Sequence, residues 1–198
     1  MPLLNQIACS NHLRHGLKEA RPDGFCKIAY VLQEVRPWSP PSLAEVVEVV
    51  AMNDKQRFEF GWFDDIGLVL RACQGHSFKV NDALVFQLVT EYEIPFCWHG
   101  SYQRCRQSIL NQGLKAMHRQ HIHLSAYPPG DQRVVSGARP DSDLFLQVDV
   151  AKARRAGIIF WRSSNGVILT RGVSGTLPLE FLREWIFSAS GAGRLVEW

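Results

Sequence analysis

Apolar residues recur at helical spacing three times along the first part of the chain, and then the pattern switches to alternation. Leu3, Leu4, Ile7, Ala8 and Leu13 predict a helix over residues 3–14, stopped at Gly16. A second helix is expected over Lys27–Val35 and closed by Arg36-Pro37. Ser42 and Glu45 have capping-box spacing and open a third helix through Val46, Val47, Val49, Val50 and Met52, to about Asn53. Arg57–Trp62 then alternates as a strand, Asp64-Asp65-Ile66-Gly67 turns, and Leu68–Cys73 returns as a second strand.

Three helices followed by a hairpin is a winged-helix arrangement, a shape often placed on nucleic acid. Residues 78–82 read as a join. Beyond it the pattern is β-rich: strands over Ala83–Val89 and Pro95–Trp98, a helix over Gln103–Gln112 stopped by Gly113, and an alternating stretch at Arg119–Ser125. Leu144–Val150 reads as a central strand and Lys152–Ala156 as a helical turn. Ile158–Trp161 and Val167–Thr170 flank a hairpin turn at Ser163–Gly166, and Pro178–Phe187 reads as a final amphipathic helix. The expected fold class is α+β in two lobes, residues 1–80 and 81–198.

Composition narrows this little. At 198 residues, 46% hydrophobic and 21% charged, the chain is ordinary for a globular protein. The net charge of +3 excludes a histone-like polycation. Within the 22 basic residues only six are Lys, so the cations are mostly guanidinium, whose planar fork matches phosphate or carboxylate. GC-rich codon usage would raise Arg equally. Five Cys with no CxxC pair and no secretory leader point to reduced thiols and an intracellular, cytoplasmic or nuclear, location. No apolar run approaches the roughly 20 residues of a membrane span.

Polar residues that carry chemistry collect where apolar β-runs end. Arg71-Ala72-Cys73-Gln74-Gly75-His76-Ser77 offers a guanidinium, a carboxamide, an imidazole and a hydroxyl around one permissive glycine. His99-Gly100-Ser101, His121–Ser125 and Gly137-Ala138-Arg139 are similar. Taken alone each also reads as a polar surface turn, and Arg14-His15 also reads as a favourable pair of cations at a helix C-terminus, worth about 0.5 kcal/mol. His118, His121 and His123 with Cys97 and His99 lack the paired spacing of a zinc site, so no metal is expected. No Cys sits in a glycine-flanked elbow. Neither a GxGxxG fingerprint nor a P-loop is present, which leaves a dinucleotide site of another kind open.

The ordered set Leu13-Arg14-His15, Lys55-Gln56-Arg57-Phe58, Arg71–Ser77, His99-Gly100, Ser108-Ile109-Leu110 with Gly113-Leu114, Arg119–Leu124, Ser136–Arg139 and Ser164–Thr170 resembles the RNA 2′-phosphotransferases of tRNA splicing. The likeness runs from about residue 8 to residue 182. It implies a winged-helix RNA-binding lobe and a β-rich ADP-ribosyltransferase-like lobe that binds NAD. It also implies the reaction: an internal RNA 2′-phosphate attacks NAD with release of nicotinamide. The ADP-ribosylated RNA then resolves to an RNA 2′-hydroxyl and ADP-ribose 1″,2″-cyclic phosphate. The catalytic set carried over by motif is Arg14, His15, Arg71 and Arg139, with His15 moving a proton or orienting phosphate in the second step. The NAD set is His99, Gly100, Ser101, Arg119, His123 and Ser125. The family usually has Thr where this chain has Ser101, and a Ser-Lys pair where it has Gln6-Ile7. The expected partners are NAD and an RNA with an internal 2′-phosphate, such as a tRNA, bound by a monomer with no membrane association.

Two other functions stay open at this point. One is an ADP-ribosyltransferase that caps 5′-phosphorylated nucleic-acid ends and leaves the ADP-ribose in place. The other is a non-catalytic reader of RNA or ADP-ribose.

Overall fold

The computed structural model describes residues 20–35, 39–76, 78–90, 93–134, 141–187 and 193–196. The helix expected over 3–14, the Arg36-Pro37 closure and the stretch 135–139 lie outside the described residues, and with them Arg14, His15 and Arg139. The fold is mixed α+β, with several small antiparallel sheets. The chain divides into two compact units, Met1–Val85 and Phe86–Trp198. No described helix is long and apolar enough to cross a membrane.

In the first unit, helices Ile28–Val35 and Leu43–Ala51 stand beside a three-stranded sheet. The second helix starts where its capping box says: the Glu45 amide donates to the Ser42 hydroxyl at 3.2 Å, and the Ser42 amide donates to Glu45 Oε2 at 2.8 Å. Strands β2 (Phe58–Phe63) and β3 (Gly67–Ala72) form the hairpin that the alternation predicts, with Phe63 opposite Gly67 and Glu59 opposite Arg71. A two-residue strand, β1 (Cys26–Lys27), pairs the other side of β3 and makes it central. Two residues are too few for a periodic signal, so only the pairing reveals this strand. Val46, Leu70, Cys26 and Val31 form the small core between helices and sheet.

Where the first unit ends and the second begins, the chain departs from expectation. Ala83–Val89 does not run as one strand. Asp82–Val85 is a helical turn, held at its start by Leu84 N–H on the Asn81 carbonyl and Ala83 N–H on Asn81 Oδ1. Only Gln87–Leu88, β4, is extended. Val85, Phe86 and Val89 are buried while Ala83 and Leu84 are exposed, a one-turn pattern and not an alternation.

Strands β5 (Phe96–Ser101), β8 (Leu144–Asp149), β12 (Leu182–Phe187) and β13 (Gly193–Val196) make one four-stranded sheet, with β8 inside it. Strands β4, β7 (Ile122–Leu124), β9 (Phe160–Arg162) and β10 (Ile168–Thr170) make another, and β6 (Leu114–Lys115) pairs β11 (Thr176–Leu177). The expected helix at Pro178–Phe187 is not one. A short 3-10 turn, Leu179–Phe181, leads into β12, which pairs β8 with Leu182 opposite Val148 and Trp185 opposite Phe145. Leu179, Leu182 and Ile186 are spaced as on a helix, but the aromatic and β-branched content favours the sheet, and the sheet satisfies their main-chain groups. The helix expected over Gln103–Gln112 splits into a 3-10 turn, Gln103–Cys105, and helix Arg106–Gln112, ended by Gly113 at φ +76°. Arg106 Nε donates to the buried Glu184 carboxylate at 3.0 Å and pins this helix to β12. The core holds Leu124, Leu144, Leu146, Val148, Phe160 and Ile168. Each fully buried aliphatic or aromatic side chain of this kind contributes about 1.5–3 kcal/mol. The Ser163–Gly166 turn forms as expected: Ser163 Oγ donates to Asn165 Oδ1 at 2.7 Å and accepts the Val167 amide at 3.0 Å.

Candidate functional site

In the first unit the candidate is Arg71. The hairpin register sets it opposite Glu59, and its Nε donates to Glu59 Oε1 at 2.6 Å. Its Nη1 donates to the Asp23 carbonyl at 2.8 Å, and its Cζ lies 4.3 Å from the centre of the Phe25 ring. The turn that delivers both groups is tightly bonded. Arg21 N–H reaches the Phe25 carbonyl at 3.0 Å, Gly24 N–H reaches the Arg21 carbonyl at 2.9 Å, and Phe25 N–H reaches Asp23 Oδ1 at 3.2 Å. Gly24 stands at φ +82°, where a glycine is the unstrained choice.

His76, further along the same motif, lies against that turn. A Cβ placed on Gly24 would come within 2.7 Å of His76 Nε2, and the ring meets Phe78 edge-on at 5.5 Å. Gly24→Ala therefore both strains the backbone and displaces the imidazole. We expect a loss of about 1–3 kcal/mol in urea unfolding; a change below a few tenths would mean that His76 moves away freely.

In the second unit the NAD candidates converge from β5 and β7. Trp98 and Ser125 exchange main-chain hydrogen bonds at 2.9 and 2.7 Å, which sets the end of β7 beside β5. The triplet His99-Gly100-Ser101 is not a tip after a short strand, as expected, but the last half of β5, paired with Leu144–Leu146 of β8. His99 Nδ1 donates to the His123 carbonyl at 2.9 Å, and His123 Nδ1 donates to the His121 carbonyl at 3.0 Å. The neutral His123 ring thereby carries its proton on Nδ1, leaving Nε2 an acceptor.

His123 Nε2 is buried and makes no hydrogen bond among the described residues. Its imidazole is pushed down to about 3, first by burial, then by the nearby Arg119 guanidinium, with smaller opposing help from the bond to the His121 carbonyl. It is therefore neutral through the physiological range. A buried acceptor without a donor costs about 1–3 kcal/mol, which a donated hydrogen bond would offset.

Ser125 is engaged differently: its hydroxyl donates to the Tyr127 carbonyl at 2.9 Å and accepts the Tyr127 amide at 3.1 Å, which holds the loop that follows β7. Arg119 is exposed. His121, which the alternation groups with His123, is buried with its ring edge-on to Phe86 at 5.5 Å.

Residues 8–172 match the RNA 2′-phosphotransferase, Tpt1 / KptA family. The chain belongs to that family. It is 41% identical over 170 residues to the tRNA 2′-phosphotransferase 1 of Danio rerio, covering 81% of this chain and 74% of that protein. It is 39% identical over 184 residues to the Homo sapiens protein of the same name, covering 89% and 72%. A bacterial relative, the probable RNA 2′-phosphotransferase of Trichormus variabilis, is 35% identical over 179 residues, covering 87% and 91%. This RNA 2′-phosphotransferase is thus a transferase of an RNA-processing enzyme family that uses NAD.

Sequence reading missed Glu59, Asp23 and Phe25. Glu59 had a signal. Once the turn sets Phe63 opposite Gly67, four steps back along β2 and four forward along β3 meet at Glu59 and Arg71. Asp23 acts through its carbonyl, and a carbonyl has no sequence signature.

Proposed function

We propose that this enzyme transfers the internal 2′-phosphate of a spliced RNA, such as a tRNA, to NAD, with release of nicotinamide and formation of an RNA 2′-hydroxyl and ADP-ribose 1″,2″-cyclic phosphate. The first lobe, residues 1–80, is a winged-helix RNA-binding lobe, and residues 81–198 are the ADP-ribosyltransferase-like NAD lobe. The observation that carries the NAD assignment is His123 Nε2, a buried and neutral acceptor with no hydrogen-bond partner among the described residues, on the residue whose carbonyl takes the His99 ring. NAD brings hydroxyl donors to such an atom, and it supplies the electrophilic ribose carbon of the reaction.

The chain's own residues divide the work. His123 and His99 accept from hydroxyls through Nε2, Gly100 and Ser101 lie on the same strand, and Arg119 offsets pyrophosphate charge. Arg71, with Arg14 and Arg139 of the motif set, holds the RNA phosphate and neutralises the charge that develops on it. His15 holds or moves the proton in the second step, because imidazole is the member of the set that titrates near neutral pH. Ser125 shapes the loop after β7 through its two bonds to Tyr127. The enzyme works as a monomer in the cytoplasm or nucleus, a location that its cysteine usage suits.

The test mixes the protein with NAD and an oligonucleotide carrying one internal 2′-phosphate. Cyclic-phosphate product is expected, lost in Arg139→Ala. A stable ADP-ribosylated RNA would replace this reading with end-capping. RNA binding without nicotinamide release would replace it with a reader.

A further inference from the structure

Arg71 is held at three points before any ligand arrives. Glu59 Oε1 takes Nε at 2.6 Å, the Asp23 carbonyl takes Nη1 at 2.8 Å, and the Phe25 ring covers one face of the guanidinium at 4.3 Å. Two in-plane bonds from different nitrogens fix the rotation of the group, and the ring stops it from tilting. Its side chain is 13% exposed, so the clamp is partly desolvated and stronger than a surface ion pair. Nη2 makes no hydrogen bond among the described residues, so its two N–H groups are left for a ligand.

The clamp is supported from behind. Phe25 meets Phe63 edge-on at 5.7 Å, and Arg21 lies 4.1 Å over the Phe63 ring while its Nε bonds the Asp23 carboxylate at 3.1 Å. Gly61 shares a sheet face with Glu59 and Phe63, and a Cβ there would come within 3.0 Å of the Phe25 ring. That missing Cβ gives the ring its place.

We propose that Glu59 is a positioning residue for phosphate transfer, acting through Arg71: its carboxylate sets the guanidinium so that Nη2 faces the RNA phosphate. The proposal rests on the reading that Arg71 holds that phosphate. A carboxylate beside a phosphate-binding arginine offsets part of its attraction, so its contribution here is orientation and not charge. A long, flexible side chain that is already set loses less freedom when the phosphate binds.

The test is a cycle of Glu59→Ala, Glu59→Gln, Arg71→Ala and the Glu59→Ala/Arg71→Ala double variant. It is read as the single-turnover rate and as Kd for the 2′-phosphorylated oligonucleotide, with KM for NAD measured alongside. Glu59→Ala is expected to slow transfer about 10- to 100-fold with KM for NAD unchanged. Glu59→Gln, whose amide oxygen still accepts from Nε, is expected to return to within about threefold of wild type. In the Arg71→Ala background Glu59→Ala is expected to add nothing, because the group it orients is gone. The proposal is overturned if Glu59→Ala is as active as wild type, if Glu59→Gln is as slow as Glu59→Ala, or if the two losses multiply. If Arg71→Ala itself is fully active, the reading of Arg71 fails. If Arg71→Ala is slow and Glu59→Ala is not, only the proposal for Glu59 fails.

Discussion

Arg71→Lys is expected to lower the rate of 2′-phosphate removal about 100-fold or more, although the positive charge is kept. Arg71 uses Nε on Glu59, Nη1 on the Asp23 carbonyl and its flat face on Phe25, and its Nη2 makes no hydrogen bond among the described residues. An ammonium has no plane. It can satisfy Glu59 or the Asp23 carbonyl, and the strand-paired carboxylate wins because it is charged and directly opposite. The lysine is then turned away from the phosphate. Single-turnover conversion of a 2′-phosphorylated oligonucleotide measures this, with thermal unfolding as the control. A rate within threefold of wild type would make the stretch structural after all.

The second large effect is expected at His123 and concerns both stability and NAD. Its imidazole titrates at 6.5 in the unfolded chain and at about 3 when folded. At pH 8 both states are neutral, so the residue adds no pH dependence. As pH falls below 6.5 the unfolded state takes up a proton that the folded state refuses, and stability is lost progressively until about pH 3. At pH 4.5 this residue is expected to have cost on the order of 3 kcal/mol relative to pH 8. In His123→Leu that part of the acid sensitivity disappears, which urea titrations at the two pH values will show. His99 keeps its partner in the variant, because it bonds the main-chain carbonyl of residue 123. Loss of the Nε2 acceptor is expected to weaken NAD about tenfold by calorimetry, one hydrogen bond's worth. Equal acid sensitivity in both proteins would mean that the ring is open to solvent, and unchanged NAD affinity would remove it from the site.

Both expectations combine a group that the sequence points to with surroundings that it does not. Arg71 and His123 stand in motifs recognisable by order and residue type, and Arg14, His15 and Arg139 come from motifs whose residues lie outside those described. What makes Arg71 a fixed fork is a carbonyl and a ring from a turn far back in the chain. What makes His123 a neutral acceptor is burial and the carbonyl of its neighbour two residues back. Main-chain groups carry no side-chain identity, so no pattern of residue types announces them.

The sequence by itself determined the local elements whose chemistry is local: the capping box at Ser42, the hairpin over Phe58–Ala72, the turn at Ser163–Gly166 and the stop at Gly113. Each rests on hydrogen bonds or backbone angles reached within a few residues. The tertiary structure alone decided that Leu182–Phe187 is a strand, that Asp82–Val85 is a helical turn and that Cys26–Lys27 joins a sheet. A short apolar run fits either period, and the partner strand that settles it comes from elsewhere in the chain. The same holds for chemistry: the sequence supplies an arginine and a histidine, and distant backbone decides which nitrogen of each is left to bind.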